Sequence, residues 1–270
     1  MRETARAKVN LALHILGRRA DGYHELDTLF AFTKAGDELE AEPADTLSLE
    51  IVGPFAEALE PGDNLVLRTA LALKQRHRVD QGAALRLDKR LPVAAGLGGG
   101  SADAAAALRL LVRLWGLDAA EADLLDLAAT LGADVPACLL SRTVRGQSRG
   151  DRLVPAGLSL GGTPILLVNP GTAVATADVF RRWAGPGSGE LPADPLAGGN
   201  DLEPAAVALA PVVGELLDRL RACPGATLVR MSGSGATCFG LFASEATRDS
   251  AAAAIGTERP AWWRLATCLV

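Results

Sequence analysis

Residues 92–103 read Pro-Val-Ala-Ala-Gly-Leu-Gly-Gly-Gly-Ser-Ala-Asp, and an alanine- and leucine-rich helical pattern follows directly. Glycine fills four of the five positions from Gly96 to Gly100. Backbone stripped of side chains just before a helix leaves bare amide N–H groups at the positive end of the helix dipole, where a phosphate can sit. A flexible spacer is the plainer alternative, since glycine-rich segments often serve as linkers. The strand-like run before the loop (residues 83–91) and the amphipathic helix after it favour an anion cradle. Ser101 is expected as the N-cap of that helix, with Asp103 in its first turn.

Such a cradle has to hold its ligand locally. The net charge is −5 and no dense basic stripe occurs, which argues against a nucleic-acid surface. At 270 residues, 49% of them hydrophobic, the chain is globular and long enough for one large domain or two moderate ones. The four cysteines (138, 223, 238 and 268) contain no C-x-x-C pair. The three histidines (14, 24 and 77) are equally scattered, so a Cys/His metal cluster is not expected. The first residues do not read as a signal peptide, because the first apolar run already contains Asn10 and His14. The longest uncharged stretch, residues 153–177, is broken by Pro155, Pro164 and Pro170 and reads as loops around a short strand. A cytoplasmic protein without membrane segments is the expectation.

Residues 5–16 alternate: Ala7, Val9, Leu11, Leu13 and Ile15 share one face, Lys8, Asn10, Ala12 and His14 the other. Period two predicts a strand with one buried face. Further strands are expected at 26–32, 38–42 and 46–52, and helices at 64–77, after the loop, and from Asp118 to Gly132 with Glu121 completing a capping box. After residue 150 the rhythm changes. Short strands are expected at 165–168, 227–231, 237–242 and 262–270, and helical stretches at 173–183, 201–222 (broken at Pro211) and 244–255. Residues 185–199, rich in Gly and Pro, read as a surface loop that is either disordered or flanks a cleft. The expected class is α+β.

Three motifs are absent or fail. No G-x-x-x-x-G-K-[ST] occurs, and the sixth position counted from Gly96 is Ser101, which breaks G-x-G-x-x-G. Gly146-Gln-Ser-Arg-Gly150 matches a hydrolase elbow, but no histidine follows His77 to complete that chemistry. Lys8 and Asn10, taken as an isolated pair, are best explained as a solvated face. Asp134, after a helix stop and two residues before Pro136, occupies an N-cap position; it either caps, or accepts a hydroxyl proton beside a phosphate loop. Residues 231–236 (Met-Ser-Gly-Ser-Gly-Ala) read as a turn between strands, or as a second loop closing over a ligand.

Together these pieces resemble the GHMP family of small-molecule kinases: Ala7-Lys8-Val9-Asn10-Leu11, residues 92–103 and residues 231–236 match its three motifs in order. Arg18-Arg-Ala-Asp-Gly-Tyr23-His24, Gly62-Asp-Asn64-Leu, Thr130-Leu-Gly-Ala-Asp134-Val-Pro and Asn200-Asp-Leu-Glu203 are similar to members that act on a cytidine-bearing substrate. The resemblance implies a two-domain α+β fold. Residues 1–153 would form a ribosomal-protein-S5-domain-2-like ATP-binding and catalytic domain, and residues 154–270 a ferredoxin-like one, with the substrate cleft between them. It also implies ATP-dependent phosphorylation of a methylerythritol 2-hydroxyl on the non-mevalonate isoprenoid route. By the same resemblance Asp134 takes the hydroxyl proton, while Lys8 keeps it ionised and offsets moving charge. Pro92, Val93, Ala94, Ala95, Gly96, Leu97, Gly98, Gly99, Gly100, Ser101 and Ala102 would cradle ATP, and Asn64 would lie near the adenine. Tyr23 and His24 would hold the cytidine, Asn10 would touch the substrate near its reacting end, and Phe180 would stack on cytosine, unless it is simply a core side chain. Relatives often have two serines after the glycines, whereas Ala102 follows Ser101 here. No protein ligand for magnesium is evident, so ATP oxygens and water would hold it. A small molecule is the expected partner, with neither nucleic acid nor membrane. Another GHMP kinase, or a non-catalytic nucleotide-binding protein on the same scaffold, are the alternatives.

Overall fold

The computed structural model describes residues 1–20, 22–59 and 64–270; residue 21 and residues 60–63, which carry parts of the motifs at 18–24 and 62–65, lie outside the described residues. Two compact units emerge. One comprises Met1–Ala7, Ala35–Val93 and Gly98–Ser141, the other Lys8–Lys34, Ala94–Leu97 and Arg142–Val270. Two long strands, β1 (Arg2–Arg18) and β2 (His24–Ala44), each give residues to both units.

β2 is continuous where the sequence suggested two strands separated by a polar break. The reason is Gly36: a Cβ there would lie 1.9 Å from the carbonyl oxygen of Ala5, so only glycine lets this part of β2 run against the backbone of β1. In the first unit, β3 (Leu47–Val52), α1 (Leu65–His77) and β4 (Gly82–Asp88) follow. β4 pairs antiparallel with residues 38–44 of β2 and parallel with β3. The helix after the glycine loop, α2 (Gly99–Leu114), buries Ala104, Ala105, Ala106 and Ala107 completely, and these small side chains let neighbouring helices approach closely. α3 (Glu121–Leu131) stops at Gly132 as expected, but its N-cap is Ala120, with no side-chain capping bond, so the Asp118/Glu121 box does not form. α4 (Val135–Leu140), the helix implied by reading Asp134 as an N-cap, completes the unit.

In the second unit, β5 (Val144–Ser148) and β6 (Arg152–Pro155) form a hairpin, and β5 also pairs with residues 26–30 of β2. The G-x-S-x-G segment runs from the end of β5 into the turn of this hairpin, with Ser148 at φ 63°, and leads into β6 instead of a helix. Next come β7 (Pro164–Asn169), α5 (Thr176–Arg182), α6 (Glu203–Leu209) and α7 (Val212–Arg221), with Pro211 separating the last two as its missing N–H demands. β8 (Ala226–Met231), β9 (Cys238–Phe242), α8 (Glu245–Glu258) and β10 (Trp263–Cys268) close the chain, giving an antiparallel sheet of order β10-β7-β9-β8. Val213, Leu216, Leu217 and Leu220 of α7, at helical spacing, pack with Leu166 and Val168 of β7 and Phe242 of β9 into one core. Each such buried side chain contributes about 1.5–3 kcal/mol. Among the described residues no helix is long and apolar enough to cross a membrane.

Gly36→Ala is expected to cost about 2–3 kcal/mol, because the added methyl must displace β1 backbone; the urea midpoint of the variant measures it.

Candidate active site

The polar face predicted to be solvated on β1 is buried. Lys8 is 4% exposed and Asn10 3%, and with Ala7 and Val9 fully buried the strand has no open face over this stretch. Burial at this depth requires partners for each polar atom. The Lys8 ammonium donates to Asn10 Oδ1 at 2.9 Å and lies 5.1 Å from the Phe30 ring centroid. Asn10 Nδ2 donates to Thr28 Oγ1 at 2.8 Å, and the Asn10 amide N–H donates to Ser232 Oγ at 3.1 Å.

Ser232 belongs to the second glycine cluster, whose task is now visible. Its hydroxyl donates to the Gly96 carbonyl at 2.8 Å, and the Thr237 N–H donates to the Ala95 carbonyl at 3.2 Å. A Cβ on Gly96 (φ 77°) would come within 2.3 Å of the Ser232 carbonyl oxygen, so glycine is obligatory at that crossing. Asn200 fixes the cluster from the other side, donating to the carbonyls of Met231 and Gly233 at 2.8 Å. Residues 231–236 thus hold residues 94–97 in shape. Lys8 adds to this by donating its backbone N–H to the Leu97 carbonyl at 2.9 Å.

In the other unit the loop runs into α2 earlier than expected. Gly98 in the left-handed region (φ 61°) is the N-cap, not Ser101, and it offers no side chain. The first-turn amides of Gly99, Gly100 and Ser101 consequently have no capping acceptor from this residue, and a Cβ at Gly100 would meet only open space. That is a cradle suited to phosphate. Asp103 is one turn further in and buried, not a first-turn cap. Lys89, 2% exposed, donates to Asp103 Oδ2 at 2.5 Å and to Asp37 Oδ2 at 2.6 Å, and its Nζ lies 3.1 Å from where a Gly99 Cβ would be. Asp37 Oδ1 accepts the amides of Arg90 and Leu91, whereas Asp103 Oδ1 is buried with no partner among the described residues. Burial pushes the Asp103 carboxyl up to about 7, with the charge of Asp37 adding and Lys89 opposing. Burial works against the Lys89 ammonium too, but Asp103 and Asp37 outweigh it and raise its pKa. The sequence carried a faint signal of this cluster, charged residues at 89 and 103 on either side of an apolar loop, with no hint of Asp37.

Asp134 stands at the N-cap of α4, yet its side chain makes no bond to the first-turn amides, so capping does not explain it. Asn64 does cap: its Oδ1 accepts the Val66 N–H at 2.8 Å at the start of α1.

Tyr23 is exposed and His24 half-buried at the start of β2. The His24 ring stacks on Phe180 at 4.7 Å and meets Trp183 edge-on at 5.6 Å, both rings coming from α5 and the residue just after it. Trp183 was missed, although its i, i+3 spacing from Phe180 places the two on one helix face. Burial, and then the charge of Arg18, lower the His24 pKa, and its Nε2 is buried with no partner among the described residues. Arg149 lies over the Tyr23 ring at 5.4 Å. Hydrogen bonds order residues 185–199: Asp201 accepts the Ser188 N–H and Oγ–H, Asp27 accepts the Leu191 N–H, the Gly189 carbonyl meets His14 Nδ1, and the Gly199 N–H donates to His14 Nε2. Among the described residues, no group of three or more His, Cys, Asp or Glu side chains could hold a metal ion.

Fold and loop geometry define a class. Residues 64–142 match the GHMP kinases N terminal domain, and residues 180–260 the GHMP kinases C terminal domain. The chain belongs to the GHMP kinases, a family of phosphotransferases. A 4-diphosphocytidyl-2-C-methyl-D-erythritol kinase from Rhizorhabdus wittichii is 56% identical, covering 99% of this chain and 94% of its own. One from Paramagnetospirillum magneticum is 49% identical over 96% of this chain and 95% of its own. The crystal structure of a 4-(cytidine 5'-diphospho)-2C-methyl-D-erythritol kinase is 38% identical with a TM-score of 0.84, covering 100% of this chain and 99% of that one. A homoserine kinase from Cytophaga hutchinsonii, 20% identical with a TM-score of 0.73 over 98% of this chain and 95% of that one, shares the fold.

Between pH of about 4 and about 7 the folded chain holds a proton on Asp103 that the unfolded chain has released, so this group's contribution to stability falls as pH rises through that window. Asp103→Asn removes the titration. Urea unfolding at a series of pH values should show the variant gaining on the parent as pH rises.

Proposed function

We propose that this chain transfers the γ-phosphoryl group of ATP to the 2-hydroxyl of 4-diphosphocytidyl-2-C-methyl-D-erythritol, giving the 2-phosphate, a step on the cytoplasmic non-mevalonate route to isoprenoid precursors. The observation that carries this reading is identity of 56% across nearly the whole chain with a kinase of that name. The buried Nε2 of His24, without a partner among the described residues, supports it, because a nucleobase edge can supply a hydrogen bond there. A lowered pKa keeps this imidazole neutral near pH 7, with one ring nitrogen donating and the other accepting. Tyr23 and Phe180 offer ring faces to the cytosine.

Phosphoryl transfer asks the protein for position and electrostatics more than for covalent chemistry. The amides at the start of α2 and the loop before it receive the ATP phosphates, with Asn64 toward the adenine. Asp134 accepts the proton of the 2-hydroxyl as the hydroxyl oxygen bonds to the γ-phosphorus and the bond from that phosphorus to the β–γ bridging oxygen breaks, releasing ADP. Lys8 offsets the negative charge that moves with the phosphoryl group, and Asn10 contacts the acceptor. Magnesium, held on the ATP oxygens and water, neutralises phosphate charge when bound.

A coupled assay for ADP release is expected to respond to the cytidylyl substrate and not to galactose, homoserine or mevalonate. ADP release with none of them would point to a nucleotide-binding protein. Asp134→Asn should lower turnover at least about a hundredfold while ATP still binds, as measured by equilibrium titration; retention of most of the rate removes Asp134 from the reaction.

A further inference from the structure

We propose that Thr28 is a positioning residue for the phosphoryl transfer: it sets the orientation of the Asn10 carboxamide, which in turn holds the Lys8 ammonium. The proposal rests on the reading of Lys8 as a catalytic residue.

Thr28 lies on β2 and is fully buried. Its Oγ1 donates to the Ala12 carbonyl at 2.6 Å. A carbonyl can only accept, so the hydroxyl hydrogen is committed and the oxygen has only lone pairs left to offer. Asn10 stands 2.8 Å away and must therefore turn its NH2 toward Thr28. That choice sends Oδ1 to the opposite side, 2.9 Å from Lys8 Nζ. The flipped carboxamide would set two acceptors against each other at Thr28 and two donors against each other at Lys8. In an enclosed site of low dielectric both errors are costly. Direction is thus passed along a chain of three hydrogen bonds, from a main-chain carbonyl to an ammonium. Nothing at position 28 singles it out in the sequence, since a threonine in a strand needs no special reason.

Full-length Thr28→Val, Thr28→Ser, Asn10→Ala, Lys8→Met and the Thr28→Val/Asn10→Ala pair are compared in the ADP-release assay with the cytidylyl substrate and ATP. Thr28→Val, close to isosteric, should lower kcat about tenfold while KM for ATP stays within about twofold. Thr28→Ser keeps the hydroxyl and should restore most of the rate. In the Asn10→Ala background Thr28→Val should cost nothing further, because its effect runs through that carboxamide. The proposal is overturned by an unchanged kcat in Thr28→Val, by an equal loss in Thr28→Ser, or by losses that multiply in the double variant. A merely structural threonine gives that last result. Lys8→Met with most of its rate intact overturns the role of Lys8 itself, and that is read in this variant alone. Should Thr28→Val not fold, Thr28→Ala carries the same comparison.

Discussion

One hydroxyl ties together the segments on which the shape of the glycine loop depends. Ser232 Oγ accepts the backbone N–H of Asn10 and donates to the carbonyl of Gly96. Its single donor and an acceptor lone pair join β1, the loop and the β8–β9 turn, three stretches far apart in the chain. Gly96 makes the contact feasible by having no side chain where the Ser232 carbonyl passes. Without this clamp the loop would retain the freedom that glycine-rich backbone has in solution. With it, residues 94–97 carry a defined set of amides, and a ligand need not supply the ordering free energy at the moment of binding.

The other half of the loop is ordered differently. α2 starts on a left-handed glycine, and behind it Lys89, Asp37 and Asp103 form a buried ionic cluster. Three charges out of water are expensive unless each is paired. Asp37 accepts two amides and the ammonium, whereas one Asp103 oxygen has no partner among the described residues, and Asp103 is the carboxyl that burial drives toward its neutral form. A hydrophobic trio could have filled the same volume. The ionic one also sets the directions of Lys89 and Asp37 beneath Gly99 and Arg90.

In the second unit the Gly- and Pro-rich stretch after α5 is a strap and not a free loop. His14 accepts the Gly199 N–H on Nε2 while Nδ1 faces the Gly189 carbonyl, an arrangement that only the neutral Nδ1–H imidazole satisfies. Asp27 is shared between the Leu191 amide and the Arg145 guanidinium, which brings the β5–β6 hairpin into the same network. Composition suggested mobility here, but buried acceptors on β1 and β2 outweigh composition.

Much of the local structure was legible in the residues themselves. The period-two run from Ala5, the stop at Gly132, the break at Pro211 and the helical stripe of α7 all follow from backbone and side-chain properties within a few positions. The glycine loop before a helix was readable as a candidate anion cradle for the same reason, and the α+β class was legible too. The residues proposed to carry chemistry, Lys8, Asn10, Tyr23, His24, Asp134 and Phe180, could be named from the family resemblance. Their surroundings could not. Whether the Lys8 face of β1 is wet or buried, whether Asp134 caps its helix, where β2 ends and what the second glycine cluster grips all depend on atoms hundreds of residues away or on another strand. Local propensity and motif are properties of neighbouring residues, so the sequence by itself determined the elements and the candidate chemistry. Burial, hydrogen-bond direction and the close approach of Gly36 and Gly96 to distant backbone arise only when the chain packs, and tertiary structure alone decided them.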